Sequence, residues 1–300
     1  MIKLMKFKIR RYVLYYIAKL VSIFILILPY RVASFIGSLI GYLAYVLLSK
    51  DRRTAMDNLT MAMKGELTPS QIKRTIKELF MNLGRNAVEL ISFPKINKSN
   101  IDKLVTAEGM ERIDDALKRG KGAMVILPHF GNWELLAAYF GLKGYPANSV
   151  ARHIYFDKFD KELERLRTSK GLNLIYRNEP IKNLIRVLKG NGVLGILPDQ
   201  DINSVDGVFV DFFGREAYTP TGPVKLASHT GAPVFPAFMI REGIRHRLVV
   251  EKPIELDDTG NAEADVKTNT ARWSKVFESY IRRYPSQWVW FHKRWKTRPS

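Results

Sequence analysis

The chain of 300 residues contains no cysteine. Disulfides, thiolate zinc sites, iron–sulfur clusters and an acyl-enzyme carried on a thiol are therefore excluded, and no oxidising compartment is required. Also missing are a P-loop, an H-E-x-x-H helix and a G-x-S-x-G nucleophile elbow. Their absence leads us to expect no nucleotide, no metal, no cofactor and no serine acyl-enzyme. There is no short-period repeat and no low-complexity tract. Acids are in short supply: 29 Asp and Glu stand against 48 Lys and Arg, a formal net charge of +19.

The placement of that charge is more informative than its size. Residues 1–53 carry ten Lys/Arg and a single acid, Asp51, and residues 281–300 carry six Lys/Arg and no acid. Basic ends beside apolar segments suit an anionic membrane surface or a phosphorylated lipid better than a nucleic-acid groove. Tyr12 to Pro29 is nearly all apolar, broken by Lys19 and Ser22. It approaches the roughly 20 residues a helix needs to span a bilayer. It is long for a signal-peptide core and lacks a clean A-x-A site, so an uncleaved anchor is the preferred reading. A second apolar stretch, Phe35 to Leu48, carries the small-xxx-small pairs Ser34/Ser38 and Gly37/Gly41, which permit close helix packing. It reads as a second leg of a hairpin, an interfacial helix or the opening helix of the soluble domain. We divide the chain into a basic membrane anchor with an interfacial helix, 1–50, and a catalytic domain, 51–300, on the cytoplasmic face.

Beyond the anchor, residues 54–120 read as helical. Thr68-Pro69-Ser70-Gln71 is a capping box with Pro at the first helical position. Short apolar runs then alternate with helical segments. Ala123–Leu127 and Val193–Leu197 suit buried parallel strands, with weaker or later strands at 148–151, 234–239 and 248–253. Helices are expected after Asn132 and over 157–168, 180–189, 223–229 and 264–283, the last carrying Trp273, Phe277 and Tyr280. Such alternation predicts an α/β fold: a mostly parallel central sheet flanked by helices.

The candidate chemistry lies in Leu127-Pro128-His129-Phe130-Gly131-Asn132-Trp133-Glu134. Residues five apart on a straight helix sit roughly 140° apart and do not meet. Pro128 and Gly131 force a turn, placing His129 on the loop and Glu134 in the first helical turn, with Asn132 as N-cap. This geometry lets Glu134 reach back to fix the imidazole, the minimal equipment for deprotonating a hydroxyl. Spacing alone is weak: five His and 29 acids in 300 residues give about 0.5 accidental H-x4-[DE] matches. An internal echo adds weight. Gly122–His129 and Gly192–Asp199 share the order glycine, apolar strand, proline, polar residue, and ligands of open α/β sheets bind beyond the carboxyl ends of strands.

His129-Phe-Gly-Asn-Trp-Glu134 resembles the H-x4-[DE] block of the lysophospholipid acyltransferase superfamily. With Gly-Asn-Trp-Glu it is similar to the lipid A late acyltransferases of the lauroyl/myristoyl type. The likeness continues through Arg152, Arg165-Leu-Arg167, Pro198-Asp199-Gln200-Asp201, Phe212–Ala217, Gly231–Pro236 and Gln287–Pro299, covering essentially the whole chain. The resemblance implies a glycerol-phosphate-acyltransferase-like fold at the inner membrane. It also implies transfer of a fatty acyl group from acyl carrier protein to a hydroxyl of a glycolipid acceptor, a Kdo-bearing lipid A precursor. His129 would be the base, Glu134 its orienting acid, and loop N–H groups or the helix start after Asn132 would receive the oxyanion. Arg165 and Asp199, with Arg152 nearby, would bind substrate. A lysophospholipid or mannosylated phosphatidylinositol is the alternative acceptor, and a non-catalytic basic membrane-binding protein the rival reading. The closing aromatic–basic run reads as a packed terminal strand.

Overall fold

A computed structural model describes residues 2–299, with side chains from residue 11 to residue 299. Helices α1 (Ile2–Ile27) and α2 (Tyr30–Leu47) lead through α3 (Ser49–Ala62) into the long α4 (Pro69–Ile91). Next come the short α5 (Ile101–Leu104), β1 (Val105–Glu108), α6 (Met110–Lys118), β2 (Ala123–Ile126), α7 (Trp133–Leu142), β3 (Ala147–Ala151) and α8 (Asp157–Thr168). The chain continues with β4 (Asn173–Tyr176), α9 (Lys182–Lys189), β5 (Val193–Ile196) and the hairpin β6 (Gly207–Asp211) and β7 (Glu216–Pro220). It closes with α10 (Gly222–Thr230), β8 (Val234–Glu242), β9 (Arg245–Val250) and α11 (Ala262–Arg283).

Seven strands form one sheet in the order β1-β9-β8-β2-β5-β3-β4, parallel at every pairing except β8 with β9. The fold is thus α/β, with a mostly parallel central sheet and helices on both faces. Successive side chains of a strand point to opposite faces, and β2 shows the consequence. Met124 and Ile126 join a core built with α3, α4, α10 and α11, whereas Ala123 and Val125 join one built with α6 and α7. All four are buried, as a strand covered on both sides requires.

The capping box at the start of α4 forms as expected, with the Gln71 N–H donating to Thr68 Oγ1 and the Thr68 N–H to Gln71 Oε1. Along α4 runs α2, and their closest approach is glycine on glycine. A Cβ at Gly41 would lie 2.1 Å from the Phe80 carbonyl oxygen, and one at Gly84 would lie 2.1 Å from that of Gly37. Any side chain there would force the helices apart.

Three outcomes differ from expectation. Strands β1, β4 and the β6–β7 hairpin were not legible, being four or five residues long with mixed burial. The run Tyr12–Pro29 is divided: its residues to Ile27 end α1, and Pro29 caps α2. Among the described residues the helix long and apolar enough to cross a membrane is α2, with mean hydropathy 1.4. The closing aromatic run packs without forming a strand. Trp288 makes only an isolated bridge to Phe130, yet Trp288, Trp290 and Arg294 are buried.

Candidate active site

Strand β2 delivers His129 and its neighbour β5 delivers Asp199. The register pairs Ala123 with Val193 and Ile126 with Ile196, a constant offset along both strands. Carried three residues further, the same offset sets His129 opposite Asp199, so the echo in the sequence is the site's geometry. His129 Nδ1 lies 2.6 Å from Asp199 Oδ1, and the His129 backbone N–H donates to Oδ2 at 2.8 Å. Trp288 Nε1 donates to Oδ2 as well, at 2.9 Å. Asp199 is 2% exposed. Burial pushes its carboxyl up, but the charges of His129 and His292 with the bonds from His129 and Trp288 outweigh this and hold it at about 2. An imidazole that gives its Nδ1–H to a carboxylate presents Nε2 as its basic nitrogen.

The expected partnership of His129 with Glu134 is not the one that forms. Glu134 is gripped by Arg167 on α8, through Nε to Oε2 at 2.8 Å and Nη2 to Oε1 at 2.5 Å, and it also accepts from Trp133 Nε1. The physical reason lies in the turn. Gly131 has φ +55°, and a Cβ there would fall 1.6 Å from the Met239 carbonyl oxygen, so only glycine fits. Asn132 then caps α7 by accepting the Leu135 N–H at 3.0 Å. Helix α7 starts at Trp133, with Glu134 in its first turn beside α8. Carboxylate and imidazole thus share a loop but not a bond.

The substrate-binding expectations separate. Arg152 lines the cavity described below. Arg165 does not: it is exposed on α8 and donates to Glu162 at 2.5 Å. Two residues on, Arg167 faces inward, as helix periodicity requires of positions two apart. Asp199 does not pair with an arginine; His129 occupies it.

Two further polar groups complete the front of the site. Gln200 Nε2 lies 3.3 Å from His129 Nε2 and 3.0 Å from His292 Nε2. Burial, reinforced by the charge of His129, lowers His292 to about 4. It is therefore a neutral acceptor near pH 7. Both residues belong to blocks visible in the sequence, but nothing there indicated that they meet.

Behind the loop sits a buried polar cluster that sequence reasoning missed. Glu89, 1% exposed, accepts from Arg241 Nη1 and Nη2, each at 2.6 Å, from Asn132 Nδ2 at 2.6 Å and from the Tyr30 hydroxyl at 2.9 Å. His246 Nε2 stands 3.4 Å away. Asn86 bonds both the Gly131 carbonyl and Arg241. Burial alone would raise the Glu89 carboxyl, but Arg241 and His246 hold it well below the usual carboxylate range. A signal was present: Asn82, Asn86 and Glu89 recur at helical spacing on α4, and all three are buried.

A cavity of about 1350 Å³ opens from His129. It exceeds the ~300–1,000 Å³ usual for small-molecule sites. Leu136, Phe140, Ala147, Leu172, Ile175 and Val193 supply apolar wall, while Glu134, Arg152, Arg167, Arg177, Gln200 and Lys296 supply polar lining. Among the described residues no group of three or more His, Asp or Glu could hold a metal ion.

Fold and site define an α/β enzyme with a histidine–carboxylate pair at adjacent strand ends above a large, mostly apolar cavity. The chain belongs to the bacterial lipid A biosynthesis acyltransferase family, whose model matches residues 1–297, and it is an acyltransferase. It is 28% identical to the lipid A biosynthesis palmitoleoyltransferase of Escherichia coli (strain K12), over 91% of this chain and 87% of that protein. The lipid A biosynthesis lauroyltransferase of the same organism is 28% identical over 91% of this chain and 88% of its own. A phosphatidylinositol mannoside acyltransferase of Mycolicibacterium smegmatis is 27% identical, over 69% of this chain and 67% of that protein.

Proposed function

We propose that the protein transfers a fatty acyl group from acyl carrier protein to a hydroxyl of a lipid A precursor, with His129 as general base. The observation that carries this reading is the 2.6 Å contact of His129 Nδ1 with the buried Asp199. An aliphatic hydroxyl attacks a thioester only as its proton leaves. His129 Nε2 takes that proton as the new C–O bond forms, and Asp199 stabilises the resulting imidazolium. Collapse of the tetrahedral intermediate breaks the C–S bond, and the imidazolium returns the proton to the departing thiolate. With no cysteine and no nucleophile elbow, acyl transfer is direct.

The oxyanion needs a donor, and of the two sources first expected, the loop and the helix start after Asn132, the loop N–H groups are occupied. Those of Phe130, Gly131 and Asn132 go to the carbonyls of Pro128, Gln287 and Met239. We assign the role to the Gln200 carboxamide: its nitrogen stands against His129 Nε2 and His292 Nε2, but on a side chain it is free to turn from the imidazole to the oxyanion once the substrate hydroxyl takes the place at His129 Nε2. Glu134 is a positioning residue: it holds Arg167 at the cavity wall, where a guanidinium grips a phosphate or sugar-acid carboxylate. Arg152 adds a second cation to the same wall.

Residues 1–50 hold the enzyme at the inner membrane, and residues 51–300 carry the chemistry on its cytoplasmic face. Supporting this, α1 and α2 leave Leu20, Phe24, Ile27, Phe35, Leu43 and Leu47 exposed, beside basic flanks. Mass spectrometry tests the proposal directly. The purified protein is incubated with a Kdo-bearing lipid A precursor and acyl carrier protein thioesters of graded length. We expect one added acyl mass with the native chain and none with His129→Ala. Acylation of mannosylated phosphatidylinositol alone would move the acceptor to the other lipid class named among the relatives. Transfer at native rate by His129→Ala would end the assignment of the base.

A further inference from the structure

Outside α1, α2 and the adjoining Leu48, the large apolar side chains exposed among the described residues are Ile154, Tyr155, Ile181, Val205 and Ile244. Ile244 sits in the β8–β9 turn. The other four come from three separate loops, following β3, β4 and β5, and so collect at the same carboxyl edge of the sheet as His129. Ile154, Ile181 and Val205 line the cavity itself, and Tyr155, 82% exposed, stands next to Ile154. An apolar patch at the rim of a cavity signals a contact surface.

What covers it is indicated by what lies beside it. Helix α1 is fastened to this rim. The Arg11 guanidinium lies 4.4 Å from the centre of the Tyr155 ring, Tyr12 meets Phe156 edge-on at 5.5 Å, and Tyr15 meets Phe159 at 5.4 Å. Lys158 donates to the Tyr16 hydroxyl at 3.1 Å and stands over the rings of Tyr12 and Tyr15. The exposed apolar side chains of α1 therefore run without a break into those of the rim. Arg152 lies two residues before Ile154, Arg177 four residues before Ile181 and Lys182 directly after it. Tyrosine, aliphatic tips and cations together match the layer where acyl chains meet headgroups.

We propose that Ile154, Tyr155, Ile181 and Val205 form a second lipid-contacting surface that seats the cavity mouth in the bilayer interface beside α1. This rests on the membrane reading of α1 and α2 given above and adds a distinct claim. The catalytic domain does not hang from its anchor in water; it presses its open rim into lipid, so that the acceptor's hydroxyl reaches His129 without leaving the bilayer.

The lack of cysteine makes the test clean, because one introduced thiol is the only labelling site. Full-length chains with a single Cys at Phe35, Arg119, Tyr155 or Ile181 are labelled with a polarity-sensitive nitrobenzoxadiazole dye. They are then reconstituted into phosphatidylethanolamine–phosphatidylglycerol vesicles. Arg119 lies before β2, at the opposite edge of the sheet. We expect blue-shifted, brightened emission at positions 35, 155 and 181, and aqueous emission at 119. Aqueous emission at 155 and 181 with a dry label at 35 overturns the rim surface and leaves the anchor intact. Aqueous emission at 35 overturns the membrane reading and the rim with it. As a functional check, Tyr155→Glu, which lies outside the cavity lining, is expected to lower transfer to vesicle-borne acceptor about fivefold or more. Transfer to detergent-dispersed acceptor should change less than about twofold. Equal losses in both would overturn the proposal.

Discussion

Two buried carboxylates flank the 129–132 loop, and they are held in opposite ways. Glu89, behind it, is matched by Arg241 through two bonds and capped by Tyr30 and Asn132. An arginine never gives up its proton, so that charge is answered permanently and the cluster acts as a fixed clamp. Asp199, in front, is answered by His129, an imidazole rather than a permanent cation, and by an indole N–H that carries no charge. One carboxylate holds shape and the other holds a proton acceptor. Burial does not distinguish them, since Glu89 is 1% and Asp199 2% exposed. The partner does.

Substitutions break this comparison in a definite order. His129→Ala removes the base and should lower the transfer rate of the folded protein about a thousandfold, equivalent to about 4 kcal/mol of barrier, with some loss of stability because the buried Asp199 loses its imidazole partner. Glu89→Gln leaves Arg241 buried without its counter-charge and should destabilise the fold by about 3–5 kcal/mol. Denaturant unfolding of the detergent-solubilised protein measures it, and an unchanged midpoint would mean the clamp is not structural. Asp199→Asn should reverse that balance: kcat falls about a hundredfold, with a smaller change in stability than Glu89→Gln. Glu134→Gln loosens Arg167 without touching His129, so we expect KM for the acceptor to rise about tenfold while kcat moves less. An equal fall in kcat to that of Asp199→Asn would return Glu134 to the role first expected of it.

The pH dependence of stability sharpens the same contrast. Asp199 is held at about 2 against an ordinary 3.8. Its contribution is whole above the ordinary value and is lost as pH falls from 3.8 to 2, a span worth about 2 kcal/mol. His292 works over a higher window. Lowered to about 4 from 6.5, it stays neutral in the fold while the unfolded chain takes up protons, so stability declines as pH falls from 6.5 to 4. Acid titration followed by tryptophan fluorescence should show two successive losses. His292→Asn should erase the first, and Asp199→Asn the second.

Much of this was legible in the sequence where local rules suffice. The capping box at Thr68, the helix 157–168 and the paired strands ending in Pro128-His129 and Pro198-Asp199 follow from turn chemistry and buried apolar runs. Glu134 misled because spacing reports distance along the chain, whereas a positive-φ glycine and an N-cap decide which way the helix points its first turn. Arg165 misled for the same reason, being one of two arginines on opposite faces of α8. Glu89 and Arg241, 152 positions apart, meet only through the packing of α4 on the sheet. Short-range pattern carries no trace of such a pair.

The Tyr30 hydroxyl has an implication for anyone handling this enzyme. It is the first residue of α2, and it caps the carboxylate that braces the loop bearing His129. Trimming the amino end past this position to gain solubility would also unfasten an internal strut. We expect a version beginning after residue 30 to lose turnover even on substrate offered in detergent, and Tyr30→Phe in the intact chain to reproduce part of that loss.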